Sequence, residues 1–266
     1  MKKFNYHSPQ SINDCYSLFK ELEAPFYLAG GMTLLHSKKQ GLSSPTDLID
    51  LTLIKEMKGI FEDQFSITVG SLTTHNEIAQ SKLINDNIIG LSSLASKIAD
   101  NAIRNKGTLG GSVCNADPAA DYPAALISLD SVINTNLRKI KAKDFFLDMF
   151  ETSLQEGEIL VSITFSKTDF SIYEKFASQA SKYAIIGIFA ALKNLHVKIS
   201  VTGASNKSFL IDELDGIHIN AMKEYDLEKI DFTKYEVNSD INASSEYRIS
   251  LIKSLTKKCL TKIIYE

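Results

Sequence analysis

The chain is predicted to be an α+β protein. Three patterns support this. Some short segments alternate apolar and polar residues with period two. Others place apolar residues every three or four positions. The two kinds mix without the regular strand–helix–strand rhythm of a parallel α/β sheet. With 266 residues, 44% hydrophobic and 23% charged, the chain suffices for one large folded unit or two smaller ones.

The elements follow in order. A first helix is expected from about Ser8-Pro9, with Ile12, Cys15, Phe19 and Leu22 on one face. Phe26 to Ala29 reads as a strand stopped by Gly30-Gly31, and Met32 to Lys39 as a helix with Gly41 just past its end. Asp47 to Leu51 and Gln64 to Gly70 are further strands. Thr74-x-x-Glu77 fits a capping box opening a helix, and Ile88 to Ala99 is helical. Ile103 to Asp121, rich in Gly, Asn, Ala and Asp, lacks periodicity and is expected to be a long functional loop. Tyr122 to Leu129 is a helix with Pro123 in its first turn, and Ser131 to Asn134 a strand. In Glu158 to Phe165, residues Ile159, Val161, Ile163 and Phe165 share one face. A boundary is placed after this strand, giving domains 1–166 and 167–266. Strands then follow at Ile172 to Ala177, Ile185 to Leu192 and Val197 to Val201. A last helix from about Ser245 carries Leu251, Leu255, Cys259 and Ile263 on one face.

Composition narrows the function. A net charge of −3 gives no basic footprint for nucleic acid. No apolar run approaches the roughly 20 residues that span a bilayer, and the first residues lack the apolar core of a secretory signal, so a cytoplasmic location and no membrane partner are expected. Cys15, Cys114 and Cys259 are scattered, and the five histidines form no metal-binding pair, so no metal site is assigned. Redox chemistry would therefore need a bound organic cofactor.

Two glycine pairs are the candidate binding elements. Phe26, Tyr27, Leu28, Ala29, Gly30, Gly31, Met32, Thr33 and Leu34 form a strand-to-helix turn. Glycine permits close backbone approach there, and unpaired N–H groups at the start of a helix suit a pyrophosphate; a tight turn without a ligand is the plainer alternative. The second pair lies in Thr108, Leu109, Gly110, Gly111 and Ser112, with Asn115, Asp117 and Asp121 downstream. A β-branched residue at Gly110 or Gly111 is expected to block pyrophosphate and leave the fold intact. Asp121 is expected to meet a ribose hydroxyl or a backbone N–H, or to cap the helix at Tyr122. Neither pair fits the Rossmann or P-loop pattern. No residue is assigned a catalytic acid or base.

The segments LAGGMTLL and IRNKGTLGGSVCNADPAADYPAAL resemble the two flavin-binding loops of the FAD (medium) subunits of molybdenum hydroxylases. The likeness continues through GSLTTHNEI, GEILVSITF, YEKFASQ and SSEYRISLIKSLTKKCL. The last of these is most similar to the helix of bacterial xanthine dehydrogenase FAD-binding subunits. The resemblance implies a two-subdomain FAD-binding domain of the vanillyl-alcohol-oxidase (PCMH) type, then a small C-terminal α+β domain with a three-stranded antiparallel sheet and helices. It implies FAD as cofactor, held by the two loops and Asp121, with Leu160 and Ile98 near the flavin. It also implies partners: a [2Fe–2S] small subunit, a molybdopterin-binding large subunit, and NAD+ as electron acceptor. The family's FAD-contacting lysine falls on Glu174, and Lys175 beside it is the candidate. Met32 and Thr33 depart from the family's first loop, and Lys182 stands where Asp is frequent. Other hydroxylases of the family (carbon monoxide, nicotinate, aldehyde) and a flavin-free scaffold subunit are the alternatives.

Overall fold

The computed structural model describes residues 3–223 and 225–265. Its first layer is a three-stranded parallel sheet, in the order Asn5–His7, Asp47–Asp50, Pro25–Leu28. The parallel pairing, and the three-residue strand Asn5–His7, are absent from the sequence reading. The helix Ile12–Glu21 starts later than Ser8-Pro9, because the Ser11 hydroxyl caps it by accepting the Asp14 N–H at 3.1 Å. Its Cys15 packs with Ile49, Leu51, Ile54, Met57, Leu72 and Ile159 in a small core. The next helix, Leu34–Gln40, ends at Gly41, whose φ of +80° makes the left-handed cap that glycine adopts readily.

The second layer is a five-stranded antiparallel sheet, in the order Ile60–Glu62, Ser66–Gly70, Leu160–Ser166, Val132–Thr135, Lys139–Lys141. The capping box forms: Thr74 Oγ1 accepts the Glu77 N–H at 3.2 Å and Glu77 Oε2 accepts the Thr74 N–H at 2.7 Å. It opens the helix His75–Gln80, followed by Lys82–Asn87 and Ile89–Ser96. The stretch 103–121 corrects an expectation, since it is not one long loop. It contains the helix Leu109–Asn115, capped by the Thr108 hydroxyl and anchored by the buried Leu109 and Val113. The predicted single face of the strand at 158–165 is also divided. A register shift between Leu160 and Ser162 sends Ile159 and Val161 to the small core, and Leu160, Ile163 and Phe165 to the large one.

The C-terminal part has three long antiparallel strands, Phe170–Ala177, Ala184–Lys193 and His196–Thr202. Two-residue strands, Phe209–Leu210 and Ile217–His218, both pair with the third. One face receives the helices Ile89–Ser96 and Tyr122–Ser128, so Tyr173, Phe189 and Ala191 belong to the large core around the second sheet. The other face carries the helix Ser245–Tyr265. That helix buries Arg248, Ile252, Thr256, Cys259, Leu260 and Ile263, while Leu251 and Leu255 only flank the contact. The buried stripe is thus rotated from the one read in the sequence. Arg248 is tolerated there because it donates to the carbonyls of Ile185 and Gly203 and pairs with Asp240 at 2.7 Å. Among the described residues, no helix is long and apolar enough to cross a membrane.

Candidate functional site

A cleft of about 560 Å³ opens where the three layers meet. Every candidate FAD-binding residue from the sequence lines it except Leu28, Leu109 and Lys175. Leu109 is wholly buried in the large core. Leu28 ends the strand Pro25–Leu28, and its carbonyl accepts the Leu51 N–H at 2.9 Å.

The two glycine pairs are brought together by packing. A Cβ at Gly30 would lie 1.9 Å from the Lys106 carbonyl oxygen, so the first loop can rest on the second only as glycine. Gly31 takes φ +72°. From Gly30 to Leu34, no backbone N–H donates to another described residue. Five consecutive amides therefore stand along the cleft at the start of the helix Leu34–Gln40. The Met32 carbonyl accepts from His36 Nδ1–H at 2.7 Å.

The second pair works differently. The Leu109 N–H donates to Thr73 O at 3.0 Å, Gly110 N–H to Ser71 O at 2.7 Å, and Gly111 N–H to Thr108 Oγ1 at 3.2 Å. These amides are engaged inside the protein. A Cβ at Gly110 would sit 2.5 Å from Ser71 Cβ, so this glycine serves packing, which corrects the expectation of a purely ligand-facing role. Gly111 is exposed, and a Cβ there would meet only Thr108 Oγ1 at 2.9 Å and Ala29 Cβ at 3.8 Å.

Asp121 neither caps the helix Tyr122–Ser128 nor binds a backbone N–H. Its backbone is already helical, and its carboxylate accepts the Tyr173 hydroxyl and pairs with Lys175 Nζ at 2.9 Å. Burial pushes the carboxyl above its usual value, against the pull of Lys175 and Tyr173. Lys175 also donates to the carbonyls of Lys97 and Lys182. It is a support behind the cleft wall. Residues alternate across a strand, so Glu174 points the other way and pairs with Lys258 and Lys262 of the last helix.

Sequence reasoning missed Ser71 and Tyr183, which also line the cleft, and takes His75 for a surface or capping residue, whereas it is 5% exposed and lines the cleft as well. The segment GSLTTHNEI carries Ser71 and His75, but neither its capping box nor its family likeness points to a place in the cleft. His75 Nδ1 lies 3.0 Å from the Tyr122 hydroxyl. Burial, with the Arg104 charge nearby, lowers its pKa to about 4. A folded value below the unfolded one (about 6.5) means that His75 contributes stability in full above pH 6.5 and loses it as pH falls toward 4. The melting temperature should therefore drop across that window. His75→Phe should flatten the drop, and an unchanged pH profile in the variant would assign the titration elsewhere.

Known proteins share this chain's sequence pattern and fold. The family described as FAD binding domain in molybdopterin dehydrogenase matches residues 2–167. The glyceraldehyde dehydrogenase medium chain of Sulfolobus acidocaldarius is 27% identical over 98% of both chains. The solved carbon monoxide dehydrogenase of Hydrogenophaga pseudoflava superposes with a TM-score of 0.89 at 25% identity, over 98% of this chain and 96% of that one. The xanthine dehydrogenase FAD-binding subunit of Escherichia coli O157:H7, expected to be most similar, is 24% identical over 98% of this chain and 96% of its own. The likeness is thus to the family at large, with no preference for its xanthine branch. This chain belongs to the family of FAD-binding domains of molybdopterin dehydrogenases, and its cofactor is FAD.

Proposed function

We propose that this protein is the electron-transfer subunit of a molybdenum hydroxylase and holds FAD in the cleft between residues 26–34 and 108–112. The observation that carries the proposal is the row of amides from Gly30 to Leu34, without partners among the described residues, in a segment that lines the cleft. Such a row, with the positive end of a helix behind it, is a receptor for phosphate oxygens. When bound, FAD supplies the relay between the [2Fe–2S] clusters of a small partner subunit and an acceptor, which we assign as NAD+.

This chain's own residues bind and orient. Gly30 to Leu34 donate backbone N–H groups to the pyrophosphate; Thr108 and Ser112 offer hydroxyls from the opposite wall. Ile98 and Leu160 give an apolar surface that excludes water from the flavin end. Asp121 is held by Lys175 and Tyr173 where it can accept from a ribose hydroxyl. We assign residues 1–166 to the FAD domain and 167–266 to a C-terminal domain whose turn at Ser181–Tyr183 closes the cleft. The location that goes with this reading is the cytoplasm.

Co-expression with iron–sulfur and molybdopterin subunits should give one complex on size exclusion. It should have a flavin band near about 450 nm, as protein-bound flavins do. A chain that elutes alone with both partners present overturns the subunit reading. A stable complex without the band supports the scaffold alternative. Whole-chain identity favours no branch of the family, and xanthine is the substrate we assign to the molybdopterin subunit on the resemblance of the segment SSEYRISLIKSLTKKCL alone. Turnover of the assembled complex with carbon monoxide, nicotinate or an aldehyde, and none with xanthine, would replace it.

A further inference from the structure

Ser71 is 3% exposed and lines the cleft, and its Oγ has no hydrogen-bond partner among the described residues. A buried hydroxyl without a partner is destabilising, so its persistence needs a reason. The backbone around it is fixed on both sides: Ser71 N–H donates to Val161 O at 2.9 Å, and Ser71 O accepts the Gly110 N–H at 2.7 Å. Its Cβ rests against the space that a side chain at Gly110 would need. The hydroxyl is thus set beside the second glycine pair, with one rotatable bond.

The backbone amides of Leu109, Gly110 and Gly111 on that wall are already engaged. A diphosphate lying there must take its hydrogen bonds from hydroxyls. Thr108 already receives the Gly111 N–H. Ser71 is the deeply buried hydroxyl on this wall that is left unpaired.

We propose that the Ser71 hydroxyl donates a hydrogen bond to the pyrophosphate of the bound dinucleotide. It would be the counterpart, on the second wall, of the amide row on the first. The contact rests on the FAD reading above, and Ser71 is a binding residue with no part in electron transfer.

The test is Ser71→Ala in the full chain, a change that removes one oxygen and adds no volume. FAD and, separately, ADP are titrated calorimetrically into apo-protein of both forms. Both dissociation constants should rise by about tenfold, the loss expected for a hydrogen bond to a charged acceptor. The melting temperature of the apo-variant should equal or exceed that of the parent, because an unpaired buried group has been removed. Equal FAD affinities overturn the proposal. So does a loss for FAD with none for ADP, which would move the contact to the flavin half. A lower apo melting temperature with unchanged affinities makes Ser71 a folding residue only. If the parent chain binds neither ligand, the cofactor reading itself fails, and this contact with it.

Discussion

Lys175→Met should lower the folding stability by about 3–5 kcal/mol, the range for removing one partner of a buried ion pair. The side chains of Lys175 and Asp121 are 5% and 6% exposed, and their charged atoms are 2.9 Å apart. Without the ammonium, Asp121 keeps one charge-stabilising donor, the Tyr173 hydroxyl. The carbonyls of Lys97 and Lys182 lose a donor as well. Burial already pushes the Asp121 carboxyl upward. Removing the cation raises it further, so the deficit should shrink as pH falls and the acid becomes protonated. Urea unfolding at pH 7 and pH 5 reads both effects. A loss under about 1 kcal/mol, or one equal at the two pH values, would show that the pair is not the support described. The double variant Asp121→Asn, Lys175→Met should be less damaged than Lys175→Met alone, since no uncompensated charge is buried.

Gly111→Val should abolish FAD binding, with a loss of at least about a hundredfold, while circular dichroism and melting stay near those of the parent. A branched side chain at Gly111 enters the cleft and displaces only the Thr108 hydroxyl, at the cost of about 1 kcal/mol for the lost helix cap. Gly30→Ala and Gly110→Val should behave in the opposite way. Each drives a carbon against another part of the fold, at 1.9 Å from a carbonyl oxygen for Gly30 and 2.5 Å from Ser71 for Gly110. Overpacking of that severity costs about 3 kcal/mol or more. Flavin fluorescence quenching and thermal melts on the three variants separate binding from folding. A Gly111→Val protein with parental FAD affinity would remove the pyrophosphate from the second loop.

The contrast among these glycines shows how far the sequence could be read. Both pairs were visible as pairs, and so were the capping box at Thr74 and the cap at Gly41, because each is written in a few adjacent residues. The division between a packing glycine and a ligand-facing one depends on what lies opposite, and Lys106 is 76 positions from Gly30. The helix Leu109–Asn115 was hidden because two glycines mask helical propensity; burial of Leu109 and Val113 overrides it. Lys175 and Glu174 were indistinguishable by spacing until the strand Phe170–Ala177 assigned them to opposite faces. The bulge at Leu160 and the buried Arg248 each depend on a distant partner that no local pattern announces.

The unpartnered amides from Gly30 to Leu34 also bear on how the protein matures. Until an anion arrives, those amides have no partner among the described residues and the turn is held through its carbonyls, Gly31 O by the Leu35 N–H and Thr33 O by the Ser37 N–H, so it opens and recloses more readily than the sheet beside it. The ligand that completes the turn is therefore also what closes the folding reaction there. A ligand bound only by the native state deepens its stability in proportion to supply. Chains without FAD would open at this turn more often than loaded ones. Chains loaded with FAD would be sealed. Cofactor supply would thus set how often each copy of the protein opens there.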